Sequence, residues 1–425
     1  MITWISSFHT ANATEPYKKM KFSIKIIIST LVAVSALILA SCSKSGSNTE
    51  DNSKRKVMIL YSAGFNSLQS NLQTNIKELK QGWLPTKNNG QDVVLIVSKP
   101  MNGSYSNQTS PVLIRMYKSG KNVVMDTVKV YAQGRKLVEA ESFRSIMQDI
   151  KSLYPASGYG MIFSSHATGW LPSGYYSNPE YYEASGVKRR TIGQEVYIEN
   201  SITRSAEMEV EDMASAIPYK LEYMLFDACF SGCIEVAYAL KDKVDVVGFS
   251  QAEVLSEGFD YTTMTETILK NKAPEKVCEK YIERYLAKTG SWQSATISAV
   301  RTSKLGALAS VCKTLTAKYK DAIYSLDYNT VQPYFGGDKF YFFDLEDIFL
   351  KAGATESEKA SLENALNDCI IYKGTTGQYY SAVDASTHSV DIFSGFSMFL
   401  PSVPGNYLKN FYKGLSWNTA IGLVN

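Results

Sequence analysis

Histidine is scarce in this 425-residue chain: there are three, at positions 9, 166 and 388. Cysteine is scarce as well, with six, and no two are spaced as Cys-X-X-Cys. A structural zinc site built from Cys and His is therefore not expected. The body of the chain also has no charge excess. The formal +3 belongs to residues 1–41, which hold four Lys and one Glu, so 40 basic and 40 acidic side chains remain beyond them. That balance removes the electrostatic case for nucleic-acid binding. Internal repeats, low-complexity tracts and a large polar disordered segment are lacking too, and 45% hydrophobic with 20% charged residues is an ordinary globular composition. The apolar run Ile26–Ala40 is too short to span a bilayer comfortably.

That short run has a different meaning. Lys18, Lys19, Lys21 and Lys25 precede it, and Leu39, Ala40, Ser41 and Cys42 close it. A basic start, a short apolar stretch and small residues at the cut describe an export signal. Cys directly after Leu-Ala-Ser resembles a lipobox, in which Cys42 would be acylated and become the first mature residue. A plain signal peptide or short anchor helix is the simpler reading. Residues 1–41 are thus read as an upstream extension plus lipoprotein signal, with Met20 the better start, and residues 42–54 as a polar tether. The expected location is the cell envelope, lipid-anchored, on an unspecified membrane face. With Cys42 lipidated, Cys229, Cys233, Cys278, Cys312 and Cys369 remain, an odd count that leaves at least one thiol unpaired or intermolecular.

From Lys56 onward, apolar strand-like runs alternate with helical spacing. Strands are expected at 56–61, 93–97, 159–165, 221–226 and 244–250, with a hairpin-like excursion over 112–131. Phe143, Ile146, Met147 and Ile150 mark a helix, and Glu209–Ala216 a shorter one. Residues 171–205 read as a long polar and aromatic loop. The alternation predicts an α/β fold with a mainly parallel sheet and helices on both faces. Residues 55–262 form this core. Residues 263–425, helical at first and strand-like over 372–401, are expected to pack on it as a mixed region.

Two of the strands deliver chemistry. One ends at His166 and the other at Asp227-Ala228-Cys229. In open α/β sheets, ligands gather beyond the carboxyl ends of the strands. Side by side, these two would bring together a thiol and an imidazole, the minimum for a cysteine nucleophile with its base. Cys229 also reads as entering a helix, whose N-terminus would favour thiolate. The plain alternative is a buried cysteine acting as a small hydrophobe. Gly169 and Trp170 suggest a tight turn with a large lid or wall. Cys233, one helical turn beyond Cys229, and His388, in a turn-like stretch, read as structural. Asp227 is a helix N-cap, an orienting partner for His166 or a receptor for a cation; Glu253 and Glu257 are further acids near the same rim.

At these residues the chain resembles the clostripain-like cysteine peptidases, which have a caspase-like fold. Five segments carry the resemblance, in order: Val57 to Leu68 with its Asn-containing turn, Ser164 to Trp170 around the histidine, Phe226 to Gly232 around the cysteine, Ser250 to Tyr261, and Ser394 to Pro401 with Tyr407, Phe411 and Trp417. It spans roughly residues 55–420. It implies a caspase-like three-layer core and an endopeptidase cleaving after Arg or Lys through a thioacyl-enzyme. Cys229 would be the nucleophile and His166 the proton-transfer partner, with Asp227, and Glu257 more weakly, in the S1 pocket. Its partners would be protein or peptide substrates with Arg or Lys at P1, and the membrane through the N-terminal lipid. No redox cofactor is implied; calcium dependence occurs in some relatives, and no calcium loop is legible here.

The resemblance also implies maturation by cleavage between histidine and nucleophile, where Lys188, Arg189 and Arg190 stand in the 171–205 loop. One departure is Ala167, where the family has Gly after His. If that position needs a left-handed backbone, a Cβ would strain it. This departure favours the rival reading, a surface lipoprotein that keeps the fold as a binding module with little or no turnover.

Overall fold

The computed structural model describes residues 53–88, 91–172, 174–176, 178–185 and 192–425. Cys42, Lys188, Arg189 and Arg190 lie outside them. Residues Asp51–Asn425 form one compact unit, so the C-terminal stretch shares the core's sheet.

In chain order the strands are β1 (Lys56–Ser62), β2 (Val93–Ser98), β3 (Val112–Ser119), β4 (Asn122–Val130), β5 (Gly158–Ser164), β6 (Ile192–Glu199), β7 (Ile202–Met208), β8 (Leu221–Asp227), β9 (Val244–Phe249), β10 (Thr296–Arg301), β11 (Phe343–Asp344), β12 (Ile370–Thr375), β13 (Gln378–Ser381), β14 (Ser386–Ser389) and β15 (Ser397–Met398). Nine of them make one sheet in the order β12-β10-β9-β8-β5-β1-β2-β3-β4. Its centre, from β9 to β2, is parallel. Antiparallel pairs extend both edges, through β3 and β4 on one side and β10 and β12 on the other. The 112–131 hairpin is therefore part of the sheet rather than an excursion from it.

The central strands are apolar on both faces because helices cover both. Val57, Ile59 and Tyr61 of β1 join one core cluster and Met58 and Leu60 the other; in β8, Met224 and Phe226 face one way and Tyr223 and Leu225 the other. This is the period-2 alternation of a pleated strand buried on both sides. On the first face, helix Ala140–Leu153 presents Phe143, Ile146 and Met147, and helices Ile234–Leu240 and Leu305–Tyr324 contribute to the same core. On the second face lie helices Gln69–Gln81 and Lys276–Leu286. The result is the expected three-layer core.

The chain steps from β1 to β2 on one side, then returns to place β5, β8 and β9 on the other. The carboxyl ends of β1 and β5 thus flank the point where strand order reverses, where α/β sheets open a crevice. The stretch read as a loop over 171–205 contains helix Pro179–Ser185 and the start of the β6–β7 hairpin. That hairpin is pinned inward by the buried ion pair of Lys99 with Glu195, whose second oxygen accepts the Leu137 N–H at 2.7 Å.

Candidate active site

β5 and β8 are hydrogen-bonded neighbours, paired in parallel with Ser164 opposite Asp227. Two residues beyond that pair stand His166 and Cys229. Equal register and equal offset bring the imidazole and the thiol onto one cavity of about 200 Å³, with Asp227, Asn75, Leu72, Glu253 and Gly258 also in its wall. All five described cysteines are unpaired; Cys229 alone is partly exposed and the other four are buried. Cys233 sits in the core, and His388 lies on β14, hydrogen-bonded to Asp384 at 3.0 Å.

The backbone after Cys229 differs from the helix entry expected of it. Residues 228–233 form a turn, and the helix begins only at Ile234. Phe230 adopts φ +54°, rare for a bulky residue and costing about 1–2 kcal/mol. That conformation is held by the Phe230 N–H donating to the Ala252 carbonyl at 3.1 Å and by the Phe230 ring stacked on Phe342 at 4.7 Å. The thiol instead meets the segment after β9: the Val254 N–H donates to Sγ at 3.3 Å, and Sγ to the Val254 carbonyl at 3.8 Å. Burial, followed by the Glu253 carboxylate, pushes the Cys229 thiol up to about 12. Burial lowers the His166 imidazole. Both shifts favour an uncharged thiol beside an uncharged imidazole over a preformed ion pair.

Asp227 is buried, 7% exposed. Its Oδ2 accepts from the Tyr261 hydroxyl at 2.7 Å, the Ser164 hydroxyl at 3.4 Å and the Asn75 amide at 3.5 Å. Burial pushes this carboxyl up to about 6, with Tyr261 the largest opposing influence. It caps no helix. Gly258 keeps it accessible: φ is +60°, and a Cβ there would lie 2.4 Å from Asp227 Oδ2.

Glu257 is placed differently. Its carboxylate turns to Lys288, at 2.8 Å, and Arg284, at 3.3 Å, and is absent from the cavity wall. Lys288 foremost lowers its pKa. The acid that does reach the cavity from this loop is Glu253, whose carboxylate accepts from the Ser381 hydroxyl at 2.9 Å and the Ala382 N–H at 3.1 Å. Burial raises its pKa.

The histidine loop also departs from expectation. Ala167 is not among the residues with positive φ, so its Cβ brings no left-handed strain. The glycine this turn requires is Gly169, at φ +58°, where a Cβ would meet the Phe230 carbonyl oxygen at 2.4 Å. Trp170 is neither lid nor wall of the cavity: it lies in the core, buried against Phe399 and Tyr412.

The sequence matches the Clostripain family, peptidase C11, over residues 60–421. The chain belongs to the clostripain family of cysteine peptidases. Solved structures of the family share its fold. An inactive zymogen C11 protease from Parabacteroides distasonis has 26% identity and a TM-score of 0.71, with 87% of this chain and 98% of that one covered. A secreted C11 cysteine protease from Bacteroides thetaiotaomicron, in complex with an irreversible peptide inhibitor, has 23% identity and a TM-score of 0.71, with 87% and 99% covered. No curated relative matches the sequence. Family membership makes this chain a hydrolase of the cysteine-peptidase class, acting on peptides or proteins.

Asn75 lies outside every segment that carries the resemblance. Ser164, Phe230, Gly258 and Tyr261 lie within those segments, but nothing in the sequence ties Ser164, Gly258 or Tyr261 to Asp227, or gives Phe230 its turn after the thiol.

Proposed function

We propose that this chain is an exported, lipid-anchored cysteine endopeptidase that cleaves after Arg or Lys, with Cys229 and His166 as its dyad. One observation carries the reading: the two side chains leave adjacent parallel strands at equal register and share a cavity with the buried carboxylate of Asp227. A cationic P1 side chain entering that cavity gains a charge-assisted hydrogen bond shielded from water, worth about 2–3 kcal/mol, or roughly 10²-fold over a neutral side chain. It also offsets the negative field that Glu253 and Asp227 impose on the thiol.

The chemistry starts from the neutral pair. As Sγ attacks the scissile carbonyl carbon, its proton passes to the imidazole and the carbonyl electron pair moves to oxygen. The backbone N–H groups of Cys229 and Ala167 are the donors suited to that oxyanion. Collapse breaks the C–N bond, the imidazolium protonates the leaving amine, and water then hydrolyses the thioester with the imidazole as base. Self-processing after Lys188, Arg189 or Arg190 belongs to the same reading, motivated by three cations between histidine and nucleophile. The binding-module alternative rested on strain at Ala167, and the negative φ there withdraws that support.

The test is labelling with a peptidyl-Arg acyloxymethyl ketone. The wild type should label, Cys229→Ala should not, and a peptidyl-Asp counterpart should label neither. Failure of the Arg reagent on folded, nicked wild type would contradict the proposal.

A further inference from the structure

We propose that Ser67 is the positioning residue of the imidazole: its hydroxyl holds His166 through Nε2 and leaves Nδ1 to exchange protons with Cys229 and the leaving amine. This rests on the peptidase reading for its chemistry. The geometry itself stands apart from it. Ser67 Oγ lies 2.8 Å from His166 Nε2.

The hydroxyl is presented by a built turn rather than a drifting loop. Beyond β1, the Ala63 N–H donates to the Ser164 carbonyl at 3.0 Å, tying the exits of β1 and β5 together. Asn66 is fully buried. Its Oδ1 accepts the Leu68 N–H at 2.8 Å, and its Nδ2 donates to the Gln194 carbonyl at 2.6 Å and the Ala63 carbonyl at 3.2 Å. An Asn side chain that satisfies backbone two residues on fixes a turn, and Ser67 is the residue inside it. The helix starting at Gln69 holds the other end. Ser67 therefore reaches His166 from a third strand end, independent of those that carry the dyad.

An imidazole has two nitrogens, and the partner of one sets the role of the other. With the proton on Nε2, Ser67 Oγ accepts and Nδ1 has a free lone pair. The thiol proton moves to Nδ1 as the C–S bond forms, and the ring becomes imidazolium with both nitrogens protonated. Nδ1–H then passes its proton to the leaving amine as the C–N bond breaks. Ser67 accepts from Nε2–H in both states, so nothing must rotate during the step. In the opposite tautomer Ser67 would have to donate to Nε2 and rotate whenever the ring became charged, and Nδ1, already protonated, could not take the thiol proton.

The experiment uses the chain from Ser43 onward, which contains the whole compact unit Asp51–Asn425. Ser67→Ala should lower kcat about tenfold, with KM within twofold and an unchanged thermal midpoint, and it should alter the acid limb of the pH–rate profile. Ser67→Thr, which retains the hydroxyl, should restore most of the rate. Nitrogen-15 NMR of the imidazoles in Cys229→Ala protein, with His388→Gln used to assign the second ring, should show Nε2 protonated and Nδ1 bare for His166, and Ser67→Ala should erase that preference. The NMR arm needs no turnover, so it tests Ser67 even if the peptidase reading fails. A kcat within twofold of wild type in Ser67→Ala, a loss that Thr does not rescue, or a His166 ring protonated on Nδ1 would each overturn the proposal.

Discussion

Asp227→Asn should stabilise the fold while removing selectivity for a cation. The Asp227 carboxyl rises from an ordinary 3.8 to about 6 because folding removes it from water. That difference corresponds to about 3 kcal/mol of cost in holding it ionised above pH 6. The sign follows from proton binding. Between the two values the folded state binds the proton more tightly than the unfolded chain, so this group's contribution to stability falls as pH rises from about 4 to 6 and is flat above. Asn has no such titration. Its amide must face some of the donors that the carboxylate now satisfies, a penalty of about 1–2 kcal/mol that does not vary with pH. The variant should therefore match or trail the parent at pH 4 and exceed it by about 1–2 kcal/mol at pH 7.5. The gap between them should widen by roughly 2–3 kcal/mol across that range. The assay is equilibrium urea denaturation at both pH values in a Cys229→Ala background, which prevents self-cleavage. On the active enzyme, kcat/KM for Arg and Lys substrates should fall by about 10²-fold or more. A stability difference that is constant with pH would refute the claim that Asp227 is ionised at a cost in the free enzyme.

Four further outcomes follow from the same geometry. Glu253→Gln removes the charge that, after burial, most raises the Cys229 thiol, so alkylation by iodoacetamide at pH 8 should accelerate about three- to tenfold. Gly258→Ala places a Cβ 2.4 Å from Asp227 Oδ2 at φ +60°; cleavage of Arg and Lys substrates should drop more than tenfold, at a stability cost of about 1–2 kcal/mol or more by denaturation. Glu257→Ala should leave the ratio of Arg and Lys to neutral P1 cleavage unchanged, because its carboxylate serves Lys288 and Arg284, and should alter stability by no more than about 1 kcal/mol. Replacing Lys188, Arg189 and Arg190 together by Gln should keep an otherwise active preparation as a single chain on a denaturing gel.

The parallel sheet and the meeting of His166 with Cys229 were legible because they depend on short-range pattern. Apolar runs of strand length mark β5 and β8, and the chemistry stands just past each. What escaped depends on contacts far along the chain. Glu257 is drawn away from the cavity by Arg284 and Lys288, cations on and just beyond a later helix. β10, whose run Thr296–Arg301 includes Thr296, Ser298 and Ala299, is too mixed in polarity to stand out, yet it joins β9 to β12 in the sheet. The turn at Cys229 resembled a helix entry because Ile234, Val236 and Ala237 follow with helical spacing; the positive φ of Phe230, imposed by its bond to Ala252, delays that helix. The concern over Ala167 presumed that the first residue after histidine turns left-handed, whereas the backbone turns at Gly169.

The most direct test of the central claim is hydrolysis of fluorogenic peptides bearing Arg, Lys, Asp or Ala at P1, by residues 43–425 with and without Cys229→Ala. The account predicts turnover of the Arg and Lys peptides alone, abolished by the substitution. Turnover that survives loss of the Cys229 thiol, equal cleavage after Asp or Ala, or no cleavage at all after nicking near Arg190 would contradict it.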